Sequence, residues 1–193
     1  MGRLSDWQDG RDGPGIHTRT IRTTTYPFDD SHILSVGRLT DDRHFPSFGF
    51  TGHPHPAGPL HDLEILLLLR IPDLAIEEVE VRIRAVPRPD CESLERSLDA
   101  AAGLRIGPGF TGRVKALAGK GAGCVHLAHL LATMAPAILQ GWWALSDREK
   151  PDPGTARWRA ASGIPYLRDT CYTWRDGGDA LRELEDIAGR DEG

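Results

Sequence analysis

A chain of 193 residues with 39% hydrophobic content is long enough for one domain with a sizeable core and too apolar to be disordered. Its net charge of −5 and pI near 5.9 exclude nucleic acid as the main partner, because phosphate binding needs a surplus of Lys and Arg. No apolar run reaches the ~20 residues that span a bilayer, so no membrane partner is expected; residues 123–145 come nearest but contain His126, His129, Pro136 and Gln140.

Residues 1–14 are polar, with several Gly, Asp and Arg, and read as a disordered tail; residues 15–193 read as a single domain. The opening lacks the apolar centre of a secretion signal, and Cys91, Cys124 and Cys171 form no CxxC pair. Both features predict a cytoplasmic protein with reduced thiols. From Ile16 to Phe28, the run of threonines and isoleucines up to Tyr26 predicts a strand. Pro27 and Asp29-Asp30-Ser31 make a turn into a second strand, His32 to Thr40, which ends at Asp41-Asp42-Arg43-His44. Four prolines in residues 45–60 exclude helix or central strand there.

Leu63, Ile65, Leu67, Leu69 and Ile71 alternate with Leu66 and Leu68, which predicts a central strand buried on both faces. After Pro72-Asp73, Val79, Val81, Ile83 and Ala85 alternate with Glu and Arg, the pattern of its half-solvated hairpin partner. Helical signals follow: Asp90 caps an expected helix from Cys91 to about Leu104, a short helix follows Gly109, and a long one runs from about Cys124 to Leu145 with a kink near Pro136. Residues 147–157 read as an exposed loop, Tyr166–Trp174 as a short strand or irregular segment, and Asp179–Ile187 as an amphipathic helix. Strands followed by helices predict an α+β fold, an antiparallel meander of about four strands in the N-terminal half packed against C-terminal helices.

The most informative stretch is Gly123-Cys124-Val125-His126-Leu127-Ala128-His129, approached through Gly119-Lys120-Gly121-Ala122. It places a thiol and two imidazoles on the first turns of the long helix, where helix amides favour a thiolate or a bound anion. His126, His129, Thr133 and Gln140 form a polar stripe that is either the solvent side or a pocket wall. His61-Asp62 opens the buried strand, where an imidazole beside a carboxylate can act as general base or acid. Asp41, Asp42 and Arg43 are placed to face the same cleft. Arg19 and Arg22 point to opposite faces of the first strand, so one of them at most lines a site and holds an anionic group. Tyr26 on that strand is a further substrate contact.

The alternative to acid–base chemistry is a zinc- or ligand-binding accessory protein with a structural Cys/His cluster, its metal ligands being His53 and His55 with Cys124 and His126. Gly119-x-Gly121-x-Gly123 is no phosphate loop, since Lys120 is followed by Gly121. Trp142-Trp143, if exposed, would suit a homodimer contact; otherwise they are core.

His61-Asp62-Leu63-Glu64, the Pro87…Cys91 step, Gly109-Phe110-Thr111 and above all Gly123-Cys124-Val125-His126-Leu127 resemble the bacterial family called domain of unknown function 2889, from about residue 16 to 175. His129 stands where many relatives carry an acidic residue. The resemblance implies catabolism of small aromatic, lignin-derived phenolic compounds and a formaldehyde-releasing carbon–carbon lyase that needs no cofactor and no metal. On that reading His61 is the base, oriented by Asp41 or Asp62. His126 is the partner acid, and Cys124 lies beside it. Arg19 or Arg22, with Tyr26, His129 and Gln140, contacts substrate, and Trp142, Trp143, Phe48 and Phe50 supply aromatic walls.

Overall fold

The computed structural model describes residues 3–9, 13, 15–118 and 121–189, with only the backbone for Trp7 and Asp9. Gly119 and Lys120, half of the glycine approach, and most of the expected tail beyond Asp9 lie outside the described residues. Within that tail, Leu4–Asp9 form a short helix, α1.

Four long strands make one antiparallel sheet: β1 (His17–Pro27), β2 (His32–Arg43), β5 (Gly58–Arg70) and β6 (Ala75–Ala85), in the spatial order β1-β2-β5-β6. Between β2 and β5, the Pro-rich loop carries only a two-residue ladder, β3 (Ser47–Phe48) with β4 (Pro54–His55). The helices are α2 (Phe110–Leu117), α3 (Val125–Ser146), α4 (Pro153–Leu167) and α5 (Asp179–Ala188). The fold is therefore α+β, with an N-terminal meander and C-terminal helices.

Alternation along each strand sorts side chains onto two unlike faces. Ile33, Leu39, Leu63, Ile65, Leu67 and Leu69 lie on the inner face, where they pack against Leu127, Leu130, Leu131, Met134 and Ile138 of α3; all are sealed from solvent. The helix can lie this close because β2 has Gly37 beneath it: a Cβ there would stand 2.3 Å from Met134 Sδ. Leu66 and Leu68, expected to be buried on the second face, are only half-buried. Among the described residues no helix covers that outer face. Arg38–Asp62, Arg84–Glu64 and Arg82–Glu64 ion pairs, at 2.7, 3.0 and 3.2 Å, shield it instead.

Two further expectations are corrected. Residues 91–104 do not form one helix but two three-ten segments, Pro89–Arg96 and Asp99–Ala101. The chain is pulled out of helical geometry by the end of the sheet: Gly103 N–H donates to Ile76 O, Ile76 N–H to Leu104 O, and Ile106 N–H to Leu74 O. The charged loop expected over residues 147–157 ends at Asp152, and Tyr166–Trp174 takes its irregular alternative beyond the end of α4 at Leu167. Asp152 caps α4 by accepting from Thr155 N–H at 3.0 Å, with Pro153 in the first turn. α3 begins one residue after its N-cap, Cys124, and runs unbroken past Pro136, which faces solvent.

Candidate active site

The candidate site is a cross-strand row at one end of the inner sheet face. Register sets Arg19 of β1 opposite Asp41 of β2, and Asp41 opposite His61 of β5. Immediately after Asp41 the β2–β5 register shifts by one residue, a bulge that turns the strand end away from regular pairing. His126, on the first turn of α3, closes over the row, its ring centroid 4.0 Å from that of His61 and tilted by 33°.

Asp41 is the hub. Its side chain is 3% exposed, and both oxygens are fully engaged. Arg19 donates through Nε to Oδ1 and through its terminal nitrogen to Oδ2, both at 2.6 Å. His17 Nε2 lies 3.1 Å from Oδ1 and His61 Nδ1 2.9 Å from Oδ2. Burial alone would raise the Asp41 pKa. The Arg19 hydrogen bonds and charge, with His61 and His17, outweigh it and hold the carboxyl at about 2. An ionised carboxylate only accepts, so His61 Nδ1 carries the hydrogen and Nε2 is left as the basic nitrogen.

Burial lowers the pKa of His61, against the opposing pull of Asp41, and the Arg19 and Arg43 charges lower it further. Burial also lowers His126, helped by the charges of His61 and Arg19. Both rings are therefore neutral at pH 7. On acidification, two imidazoles this close take up one added proton between them rather than two. Cys124 Sγ stands 3.9 Å from His126 Nδ1.

A cleft of about 560 Å³ opens over this row, walled by Ile16, Phe45, Pro46 and Leu60 and bordered by Arg43 and Ser47. Such an apolar cleft with a few convergent polar groups suits a small organic molecule. Arg19, Asp41, His61 and His126 are thus assembled; Arg19 engages Asp41 through Nε and one terminal nitrogen and still lines the cleft. Arg22 and Tyr26, offset by an odd number of residues from Arg19, lie on the outer face, and Asp62 joins them there in its pair with Arg38. Asp42 also turns to the outer side, where its charge acts on Arg38. His129 and Gln140 are exposed, so most of the polar stripe on α3 is its solvent side.

The aromatic wall is Phe45, since Phe48 and Phe50 project into solvent. Trp142 lies sixteen residues beyond His126, about 24 Å along the helix. Trp142 and Trp143 are half-buried and line a larger apolar cavity of about 810 Å³ with Trp158, Tyr166 and Trp174, at the opposite end of α3. His17 was not singled out from the sequence. Its signal is its position two residues before Arg19 on the same strand face.

Among the described residues, the one cluster able to hold a metal ion is Asp41, His61 and His126, with donor atoms within 4.8 Å of one another. His53, His55 and Cys124 are not part of it. No helix is long and apolar enough to cross a membrane among the described residues.

The sequence model of the family described as "Protein of unknown function (DUF2889)" matches residues 17–140. This span holds every residue of the cleft except Ile16 and stops before most of the tryptophan cavity. No curated protein and no solved structure matches the chain.

Proposed function

The chain belongs to the DUF2889 family, and we propose from the cleft that it is an acid–base enzyme, and from the resemblance described above that its substrate is a small aromatic compound. The observation behind this reading is the Asp41–His61 pair with a second neutral imidazole 4.0 Å away, under an apolar cleft. A buried carboxylate that fixes one imidazole nitrogen and frees the other is the arrangement a general base requires.

The reaction proposed is a carbon–carbon lyase that releases formaldehyde. The substrate's hydroxymethyl O–H gives its proton to His61 Nε2. The bond from that carbon to the aromatic-conjugated carbon then breaks, and its electron pair stays on the conjugated carbon. Formaldehyde departs, and the proton returns to the carbanionic carbon from the His61–His126 pair. R–CH₂OH becomes R–H and CH₂O, with atoms and charge balanced. Asp41 offsets the charge of the transient imidazolium.

Phenolic lignin-type dimers and hydroxymethyl aromatics, assayed by released formaldehyde and mass spectrometry, test the reading. His61→Ala is expected to lower turnover by about 10²–10⁴-fold with the fold intact, and His126→Ala to lower it less. Turnover should fall on acidification with a midpoint below 6.5, the ordinary histidine value, because burial depresses the pKa of both rings. Full turnover in both variants would refute the assignment.

The three clustered donors give a zinc or ligand-binding role as the second reading. Against it stands Arg19, whose guanidinium already occupies both oxygens of Asp41 and repels a dication. Zinc titrated to one equivalent is therefore expected to leave the His61 and His126 imidazole NMR signals in place. A stoichiometric shift of both would show that metal displaces Arg19, and would favour this reading.

A further inference from the structure

We propose that the cleft takes an aromatic carboxylate, with Arg43 as the residue that binds its charged end. The inference rests on the acid–base reading of the cleft and supplies its substrate class.

The argument is one of charge. Arg19 and Asp41 neutralise each other, and both imidazoles are neutral at pH 7. Asp41 is the sole carboxylate lining the cleft among the described residues. That leaves the Arg43 guanidinium as an uncompensated positive charge at the edge of an apolar volume. On the same sheet Arg19, Arg38, Arg70, Arg82 and Arg84 each meet a carboxylate. Arg22 lies exposed on the other face. Arg43 is half-buried, and its hydrogen-bond partner among the described residues is the Ser47 hydroxyl, to which it donates at 2.5 Å.

That single bond does something a carboxylate partner would not. It fixes the guanidinium plane on β3 while leaving the remaining N–H donors and the full charge for a ligand. A planar fork held in this way matches a carboxylate in two parallel hydrogen bonds. Phe45 also lines the cleft, so a ring can lie on it while the carboxylate reaches Arg43 and the reacting end faces His61.

Benzoate is the probe, with benzamide as its neutral counterpart and inorganic phosphate as a non-planar anion, each titrated calorimetrically and by the imidazole NMR signals of His61 and His126. Benzoate is expected to bind one to one and move both signals, with benzamide and phosphate much weaker. Arg43→Met should weaken benzoate about ten- to a hundredfold and leave benzamide unchanged. Arg43→Lys should recover part of the affinity, and Ser47→Ala should weaken it modestly. The inference falls if wild-type protein binds no benzoate, if benzamide binds equally well, if phosphate alone binds, or if Arg43→Met keeps wild-type affinity.

Failure here is distinguishable from failure of the acid–base reading. Normal benzoate binding in Arg43→Met beside an inactive His61→Ala sinks only the carboxylate proposal. An Arg43-dependent benzoate site in a protein whose turnover survives His61→Ala and His126→Ala sinks only the base assignment.

Discussion

Asp41→Asn is expected to cut turnover severely while leaving the protein folded. Asparagine is nearly isosteric, but it cannot accept from Arg19 at both oxygens and from His61 and His17 as the carboxylate does at 2.6–3.1 Å. His61 would lose the group that fixes its hydrogen on Nδ1, and a flipped tautomer presents an N–H to the substrate instead of a lone pair. The loss in turnover should be about 10³–10⁴-fold, the scale seen when a triad carboxylate is neutralised.

The pH behaviour carries a signature. The Asp41 charge raises the His61 pKa against burial. Its removal should move the acid limb of any residual activity further down, not up. The stability cost should be modest. Removing one partner of a buried pair is severe when the other charge stays buried, but Arg19 is 37% exposed and can rehydrate, so about 2 kcal/mol is expected in a denaturant titration. Wild-type stability should also fall at low pH. The unfolded chain binds more protons at His61 and His126 below pH 6.5, and at Asp41 between 3.8 and about 2. An upward shift of the acid limb in Asp41→Asn, or near-normal turnover, would contradict the role given to Asp41.

Gly37→Val is the second large effect, and it strikes the fold rather than the chemistry. The added Cβ would enter the space of Met134, whose side chain is wholly buried between β2 and α3. Met is the most adaptable core side chain, but here it is wholly buried, and the branched valine adds two further methyl groups. A loss of about 3 kcal/mol is expected, roughly 10 °C in melting temperature for a chain of this size. Met134→Ala in the same background should recover part of it. The two changes should couple strongly, because each occupies the volume the other needs. Wild-type melting in Gly37→Val would show that helix and strand do not meet so closely.

The strands and α3 were legible because their signals are redundant. Leu63 to Leu69 and Val79 to Ile83 alternate over several residues, and α3 is both apolar and preceded by glycines. The segment 89–101 misled because Leu94, Leu98 and Ala101 have the spacing of a helix face. What cuts the helix short is backbone hydrogen bonding to Leu74 and Ile76, which no local pattern records. α4 was hidden by prolines and charges read as a loop, although Asp152-Pro153 is a helix start.

In the site, His61, Asp41 and His126 were found from residue type and neighbourhood. Their grouping was not derivable from any one segment, because it depends on the β1–β2–β5 register and on where α3 lands. Hence Arg19 was read as a ligand for substrate without its engagement of Asp41, and His17 passed unnoticed. His129 and Gln140 were placed on the right line of the helix, but that line leaves the cleft after His126.

The contact between Gly37 and Met134 also sets a mechanical relation. Met134 lies near the midpoint of α3, eight residues after His126 and eight before Trp142, about 12 Å along the axis in each direction. Gly141, one residue before Trp142, meets the sheet closely too: a Cβ there would stand 2.8 Å from the Thr25 Cβ of β1. Held at two points, α3 is a spacer that keeps the imidazole and the tryptophan cavity at its opposite ends.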